Sequence, residues 1–513
     1  MNRDLVVGID SSTTATKAAA WTRDGAMVAE GRAAIPLANP AENHYEQDPL
    51  DWWRSTVEAL RQLTQQASAG RIAAIAISNQ RETFVPLDEG GRAVRPAIVW
   101  LDQRCRGDVP WLASRVGETR IHQITGKPVD TAPVAYRLAW MLHHDADHFH
   151  ATAMFADVHA YLTWRLTGVF RTSWASADPL GLLDLEAKAW SSPILQELGV
   201  STDQLPEAHA PGSILGEITA GAATETGLAE GTPVVAGGGD GQAAGLGVNA
   251  LSPERAYLNL GTAVVGGVYS TKYNIDSAWR TMGSCSGEGY YYETSLRTGT
   301  FLVDWFMRNV RGVDPESDRS VYKRLEAEAS AVSPGSHGLL LVPYWGAVMT
   351  PYWDPQARGA IVGFTSAHTR PDMYRALLEG VALEQAMVTA MIEERAGVGV
   401  REFIAIGGGA ASDLWLRIVA DTSGKVVRRS QTVEASSLGA AMCAAVGANL
   451  YSSMSQAAEA MSGAICWETV PDPVNVAIYR ELMETYRELY PRLRESFRRL
   501  GRFAKAQPQT LGV

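Results

Sequence analysis

The chain has 513 residues, enough for two to four domains that each bury a core without metal or disulfide staples. Its 45 Lys and Arg against 56 Asp and Glu leave a formal net charge of −11, which argues against bulk electrostatic capture of nucleic acid or of an anionic membrane surface. A phosphate ligand stays admissible if backbone amides, helix N-termini and a cation hold it locally.

Residues 5–9 form an apolar, β-branched run that ends in Asp10-Ser11-Ser12-Thr13-Thr14. A second run, 15–21, the turn Arg23-Asp24-Gly25 and a third run, 26–35, predict an antiparallel meander. Residues 51–66 place Trp52, Trp53, Val57, Leu60 and Leu63 near helical spacing. A buried strand is expected over 71–77, with the polar cluster Ser78-Asn79-Gln80-Arg81-Glu82 at its C-terminal end, where open α/β sheets place ligands. The run 97–101 repeats the pattern with Asp102-Gln103-Arg104 behind it. The stretch from about 107 to 226 reads as helix-rich. A strand over 233–236 runs into Gly237-Gly238-Gly239-Asp240-Gly241. Then 256–260, Gly261-Thr262 and 264–269 restate the opening theme of strand, small polar turn and strand. Residues 402–406 run into Gly407-Gly408-Gly409-Ala410, with a helix expected over 412–422. Two related α/β domains follow from this repetition, 1–250 and 251–513. The last stretch, 474–505, carries the stripe Leu482, Tyr486, Leu489, Leu493, Phe497 and Leu500, with Pro491 expected to bend it and several arginines on its solvated face.

The four cysteines lie far apart and form no C-x-x-C pair, so a reducing compartment is expected. No apolar run has the length of a signal peptide core or a membrane span, so the protein is expected to be cytoplasmic. The histidines of MLHHDADHFH, His143, His144, His148 and His150, read as a solvated helix end.

Common catalytic signatures are missing: there is no G-x-x-x-x-G-K-[ST], no H-R-D or D-F-G, no H-E-x-x-H and no G-x-S-x-G. What remains is a set of polar turns at strand ends. In Asp10 to Thr14, Ser11, Ser12, Thr13 and Thr14 are small enough for several N–H groups to converge on phosphate oxygens. Asp10 suits Mg²⁺, which prefers carboxylate oxygen and keeps water, and Lys17 is close enough in sequence to contribute. Gly261-Thr262 has the same logic in the second domain, so the two turns could grip β- and γ-phosphates from both sides. Gly408, Gly409 and Ala410 offer a flat backbone surface that suits an adenine ring or an α-phosphate. Asp240, between glycines, can take a proton from an attacking hydroxyl, since phosphoryl transfer depends mainly on positioning and charge. Arg81, Glu82, Trp100 and Asp102 suit a neutral polyhydroxylated ligand, with carboxylates accepting from hydroxyls and the guanidinium donating to them.

These pieces, in order, resemble the FGGY carbohydrate kinases, which include glycerol kinase, xylulokinase and ribulokinase. The carriers are GIDSSTTATKA, YEQDPLDWW, ISNQRETFVPLD, AIVWLDQR, AGGGDGQAAGLG, LNLGTA, YRALLEGVALEQ, AIGGGAASDLWLRIVAD and ASSLGAAMCAAVG, spread over nearly the whole chain. The resemblance implies two ribonuclease-H-like domains of the actin/hexokinase-like ATPase fold around a central cleft. It implies ATP-dependent phosphorylation of a primary hydroxyl on a small sugar or polyol, with ATP and Mg²⁺ as cofactors. It makes Asp240 the catalytic base and, with Asp10, a metal ligand. The turn Asp10 to Thr14 and Gly261-Thr262 would meet phosphate, Gly408-Gly409 would border adenosine, and Asn79 to Glu82, Trp100 and Asp102 would lie at the sugar. The Arg81-Glu82 pair matches the glycerol branch. However, the stretch from Thr131 to Trp140 has Arg137 in place of a lysine and no tyrosine at the expected offset. PYWDPQARGAIVGF from Pro351 is nearer the xylulokinase-related branch. A ketopentose such as xylulose is therefore expected, with glycerol or a tetritol as the alternative. A non-catalytic sugar sensor and an actin- or chaperone-like ATPase are readings of another class. A small-molecule partner is expected, no nucleic acid and no membrane, and a homodimer is the assembly considered.

Overall fold

The computed structural model describes residues 3–314, 317–318 and 320–506. The opening meander forms as expected: β1 (Leu5–Ser11), β2 (Ala15–Trp21) and β3 (Met27–Ala34) pair antiparallel. α1 (Pro49–Gln66) covers one face with Trp52, Trp53, Leu60 and Leu63. Asp48 caps it by accepting from the Leu50 N–H at 2.9 Å, and Pro49 occupies the first turn, where its missing N–H costs nothing. β4 (Ile72–Asn79) runs parallel to β1 and is buried along its whole length, as a strand covered on both faces must be. β5 (Ile214–Glu217) and β6 (Pro233–Gly239) complete a six-stranded sheet of order β5-β6-β4-β1-β2-β3.

Two expectations change here. The three glycines before Asp240 belong to the strand, and β6 ends only at Gly239. A Cβ on Gly237 would sit 2.1 Å from the Ile77 carbonyl oxygen, so glycine is what lets β6 close onto β4. The strand expected over 97–101 shrinks to Ala97–Ile98, at an inner position of a small five-stranded sheet. α2 (Asp240–Gly247) follows β6 directly.

The second half repeats the plan. β7 (Arg255–Leu260), β8 (Val264–Ser270), β9 (Arg280–Gly283) and β10 (Tyr290–Leu296) pair antiparallel. The long helix α3 (Arg370–Ala396) leads to β11 (Glu402–Ile406), α4 (Asp413–Ser423) and β12 (Val426–Ser430). α5 (Ala435–Gly447), β13 (Ile465–Thr469) and α6 (Pro473–Ala506) end the described chain. The seven-stranded order is β9-β10-β8-β7-β11-β12-β13. Without the added edge strand β9, it follows the path of the first sheet: an antiparallel trio, two parallel neighbours, then an antiparallel edge.

α6 continues through Pro491 as one helix. Three tyrosines of the helix, of which Tyr486 belongs to the stripe, reach buried carboxylates beneath: Tyr479 donates to Glu379, Tyr486 to Glu384 and Tyr490 to Asp354, at 2.7, 2.6 and 2.6 Å. The helix thus satisfies polar groups while burying these rings. Leu500, at the far end of the stripe, is exposed.

α5 belongs to the second half by chain and to the first sheet by packing. Leu438, Ala441, Met442 and Ala445 share a core with Val6, Ala74, Ala76 and Val235. The approach is backbone-close: the Ser437 hydroxyl donates to the Gly8 carbonyl at 2.9 Å, and a Cβ on Gly8 would lie 1.8 Å from the Ser437 carbonyl oxygen. Gly8→Ala is therefore expected to push α5 off the sheet and cost about 1–3 kcal/mol, read as a lowered urea midpoint. An unchanged midpoint would mean the helix can shift without penalty.

Candidate active site

The strand registers bring the polar turns together. Asp10 lies level with Ser78 and Ser11 with Asn79, while Gly238 and Gly239 of β6 lie level with the same two residues. The C-terminal ends of β1, β4 and β6 thus form one ledge, and Asp240 is the next residue along it. Asp10 accepts from the Ser78 hydroxyl at 3.1 Å. Burial, reinforced by the charge of Asp240, pushes its carboxyl up to about 7 against the opposing pull of Ser78 and Lys17. Among the described residues no cation pairs directly with Asp10. Asp240 opens α2, with its side chain 41% exposed toward the cleft. Its Oδ1 accepts from the Gly241 N–H at 2.7 Å and lies 3.0 Å from Arg81 Nε. Two carboxylates so close that the charge of Asp240 raises the proton affinity of Asp10 are a fitting donor set for a divalent, oxygen-seeking cation.

The turn after β1 is partly self-satisfied. The Ser12 hydroxyl donates to the Ala15 carbonyl at 2.8 Å, and Thr13 accepts from the Trp100 indole N–H at 2.8 Å. Thr14 is exposed, while the Ser11 hydroxyl is fully buried with no partner among the described residues. Lys17 turns elsewhere: its Nζ is held by both oxygens of Glu434 at 2.7 and 2.8 Å, at the entry to α5. Its ammonium ties the two halves together and acts on Asp10 only through its field.

Arg81 and Glu82 are buried beside Asp240, and Glu82 adopts a left-handed backbone with φ of 47°. Trp100 is exposed at the rim. Asp102 is turned inward: it is 1% exposed, pairs with Arg104 through both oxygens and accepts from the Tyr45 N–H at 2.6 Å. All its acceptor capacity toward the cleft is spent, so its role is to shape the loop behind Trp100.

On the second half, Gly261 and Thr262 join β7 to β8, with Thr262 exposed. Their carbonyls accept from the N–H groups of Thr300 and Gly299, both at 2.8 Å, which fixes the turn against the following helix. Gly407 has φ of 82°, as the left-handed turn into Gly408 requires. Gly408 is exposed, and a Cβ there would meet nothing within 4 Å. Gly409 and Ala410 are buried, so of this triplet only Gly408 offers surface to a ligand.

Several residues at the site are not among the site candidates of the sequence. Glu293 on β10 and Arg280 on β9 pair with Arg81 and Glu82. Arg137, fully buried, donates to the carbonyls of Val99 and Glu82 at 2.7 and 2.6 Å and also to that of Ala132, so one guanidinium pins three loops. Lys127 and Asp178 form a buried ion pair behind them. The histidine run resolves into carboxylate contacts: His143 and His144 both reach Asp108, in an earlier segment, and His148 reaches Asp145 within the run. No helix among the described residues is long and apolar enough to cross a membrane.

The sequence profile of the FGGY family of carbohydrate kinases, N-terminal domain, matches residues 5–247, and that of the C-terminal domain matches 256–448. The xylulose kinase of Bacillus subtilis is 29% identical over 98% of this chain and 99% of its own. The glycerol kinase of Symbiobacterium thermophilum is 29% identical over 90% and 93%. Among solved structures, the xylulose kinase of Rhodospirillum rubrum superposes with a TM-score of 0.86 at 27% identity, covering 96% of this chain and 100% of that one. The glycerol kinase of Plasmodium falciparum, solved with ADP, shares the fold at a TM-score of 0.84 and 20% identity, over 96% and 98%.

Proposed function

Because the chain belongs to the FGGY family of carbohydrate kinases, we propose that it transfers the γ-phosphoryl group of ATP to a primary hydroxyl of a ketopentose, with xylulose first among candidates. The observation that carries this reading is the ledge of Asp10, Arg81 and Asp240 at three adjacent strand ends, with the turn Gly261-Thr262 on the other half. Relatives named xylulose kinase align over nearly the whole chain.

Asp240 is the base. It accepts the proton of the attacking hydroxyl, and its exposed carboxylate is free to do so while Arg81 fixes its orientation. Arg81 and Glu82 orient the polyol, and Trp100 supplies an apolar face at the rim. The backbone of Gly261-Thr262 and the turn after β1 receive phosphate oxygens, and Gly408 borders the adenosine. Asp10 and Asp240 would hold Mg²⁺, which neutralises phosphate charge when bound. Closure of the halves excludes water, which limits ATP hydrolysis. Nothing in this chemistry requires a membrane, and a cytoplasmic location is consistent with it.

A coupled ADP-release screen over glycerol, erythritol and the common pentuloses and hexuloses tests the reading. A pentulose is expected to give the highest kcat/KM. Preference for glycerol, which Arg81-Glu82 would also suit, would move the assignment to that branch, and ATP turnover indifferent to any polyol would end it.

The acidity of Asp10 gives a pH signature. Its carboxyl is held up at about 7, so the proton competes with the cation below that pH and leaves it free above. Mg²⁺ affinity should therefore weaken as pH falls below 7, by up to about tenfold per unit. Asp10→Asn should flatten that dependence. Mg²⁺ titrations at pH 6 and 8 that agree in the unaltered protein would contradict it.

A further inference from the structure

Two pairs of charged residues far apart in sequence meet beneath the sugar site. Arg81 and Glu82 come from the end of β4, while Arg280 and Glu293 come from β9 and β10 of the other half. They form an alternating chain, Asp240–Arg81–Glu293–Arg280–Glu82, with successive contacts of 3.0, 2.7, 2.6 and 2.7 Å. Glu293 is the centre of it and is fully buried. Its Oε1 accepts from Arg280 Nε at 2.7 Å, and its Oε2 accepts from Arg81 Nη1 at 2.7 Å and the Tyr257 hydroxyl at 3.0 Å. Burial raises its proton affinity, but Arg280 and Arg81 overcome this and hold the carboxyl down at about 2. A carboxylate without water persists only where cations neutralise it, so each arginine is fixed by the same group that needs it.

The arrangement decides what Arg81 can do. Its guanidinium is stretched between two anions of opposite standing: Asp240, which is open to the cleft, and Glu293, which is sealed beneath. With the lower anchor gone, the guanidinium keeps only Asp240 and a longer contact to the Gln242 amide oxygen at 3.4 Å, and would settle on the carboxylate that the hydroxyl must reach. Glu82 depends on the second half in the same way, since Arg280 holds its carboxylate.

We infer that Glu293 and Arg280 are positioning residues of the sugar site, holding Arg81 and Glu82 in the orientation that meets the polyol. The sugar site is then assembled from both halves of the chain, whereas the sequence places it in the first half alone. This rests on the assignment of Arg81 and Glu82 to the polyol made above. The phosphate and adenosine turns take no part in the network, so sugar and nucleotide should respond differently to its loss.

The test is steady-state kinetics of the full chain with its best polyol, varying polyol and ATP separately. Glu293→Gln keeps the shape and removes the charge. It is expected to raise the polyol KM and lower kcat by about tenfold to a hundredfold, with the ATP KM within about twofold. Tyr257→Phe removes one hydrogen bond from the same carboxylate and no charge. It should move the polyol KM about two- to threefold in the same direction, and it decides the matter if the first variant does not fold. Polyol KM unchanged in the folded variants, or polyol and ATP KM rising together, would overturn the inference. Failure of the functional reading looks different: no polyol stimulates ADP release by the unaltered protein.

Discussion

Replacing Asp240 by asparagine should lower kcat by roughly 10²–10⁴ while leaving the affinity for ATP measured without Mg²⁺ within about twofold. Asparagine has the same size and keeps an oxygen for the Gly241 N–H, so the start of α2 should hold. What disappears is the group that takes the proton, together with the charge facing Arg81. The loss should fall on the chemical step, and single-turnover ADP release at saturating polyol measures it directly. ATP binding, followed by calorimetry, reports whether the nucleotide side is intact. A variant with more than about a tenth of the original kcat would remove Asp240 from the role of base.

The second large effect concerns stability. Lys127 and Asp178 are 3% and 1% exposed and pair with each other. The other oxygen of Asp178 accepts from the Gly283 N–H at 2.8 Å, so the pair also fastens β9 of the second half to the first. Burial pulls the Lys127 ammonium toward its neutral form, and Asp178 opposes that pull. Asp178→Ala leaves a buried cation and a buried N–H unpartnered at once. Removing one member of such a pair costs about 3–5 kcal/mol, and urea unfolding should show a correspondingly lower midpoint. The double variant Lys127→Met with Asp178→Leu should recover a large part of that loss, because the pair's own desolvation disappears with it. A single variant as stable as the original would mean that water reaches the site and screens Lys127.

Much of the fold is legible in the sequence because it is local. Alternation and β-branched runs mark β1, β2, β4, β7 and β11, and small polar residues mark the turns after β1 and β7. Asp240 and Asp10 are legible for the same reason, since a carboxylate at a strand end beside glycine or serine is visible without any partner. The glycines before Asp240 are where the local reading stops short. They look like a loop, yet they extend β6, where a Cβ on Gly237 would meet the Ile77 carbonyl, one on Gly238 the Cys285 sulfur and one on Gly239 the Arg81 side chain. Pro491 lies inside α6 without ending it, and the helix is held from below by the carboxylates that its tyrosines reach.

The readings that change are those of charged side chains. Lys17 looks like a phosphate ligand by its place after the first turn, but its partner is Glu434, 417 residues away. Asp102 looks like a sugar ligand at a strand end, but Arg104 and the Tyr45 N–H draw it inward. Ala410 closes a glycine run that looks open, and its methyl group is buried.

From the sequence alone, then, come the repeated strand-and-turn plan, the family and the residues able to do the chemistry. Each of these depends on backbone preference and on residues within a few positions of one another. The tertiary structure decides which of the charged residues face the cleft and which are consumed in holding it together. A long side chain takes the partner that neutralises it best once water is excluded. That partner is set by packing between the halves, by α5 on the first sheet and by β9 and β10 against Arg81 and Glu82, which no local pattern encodes.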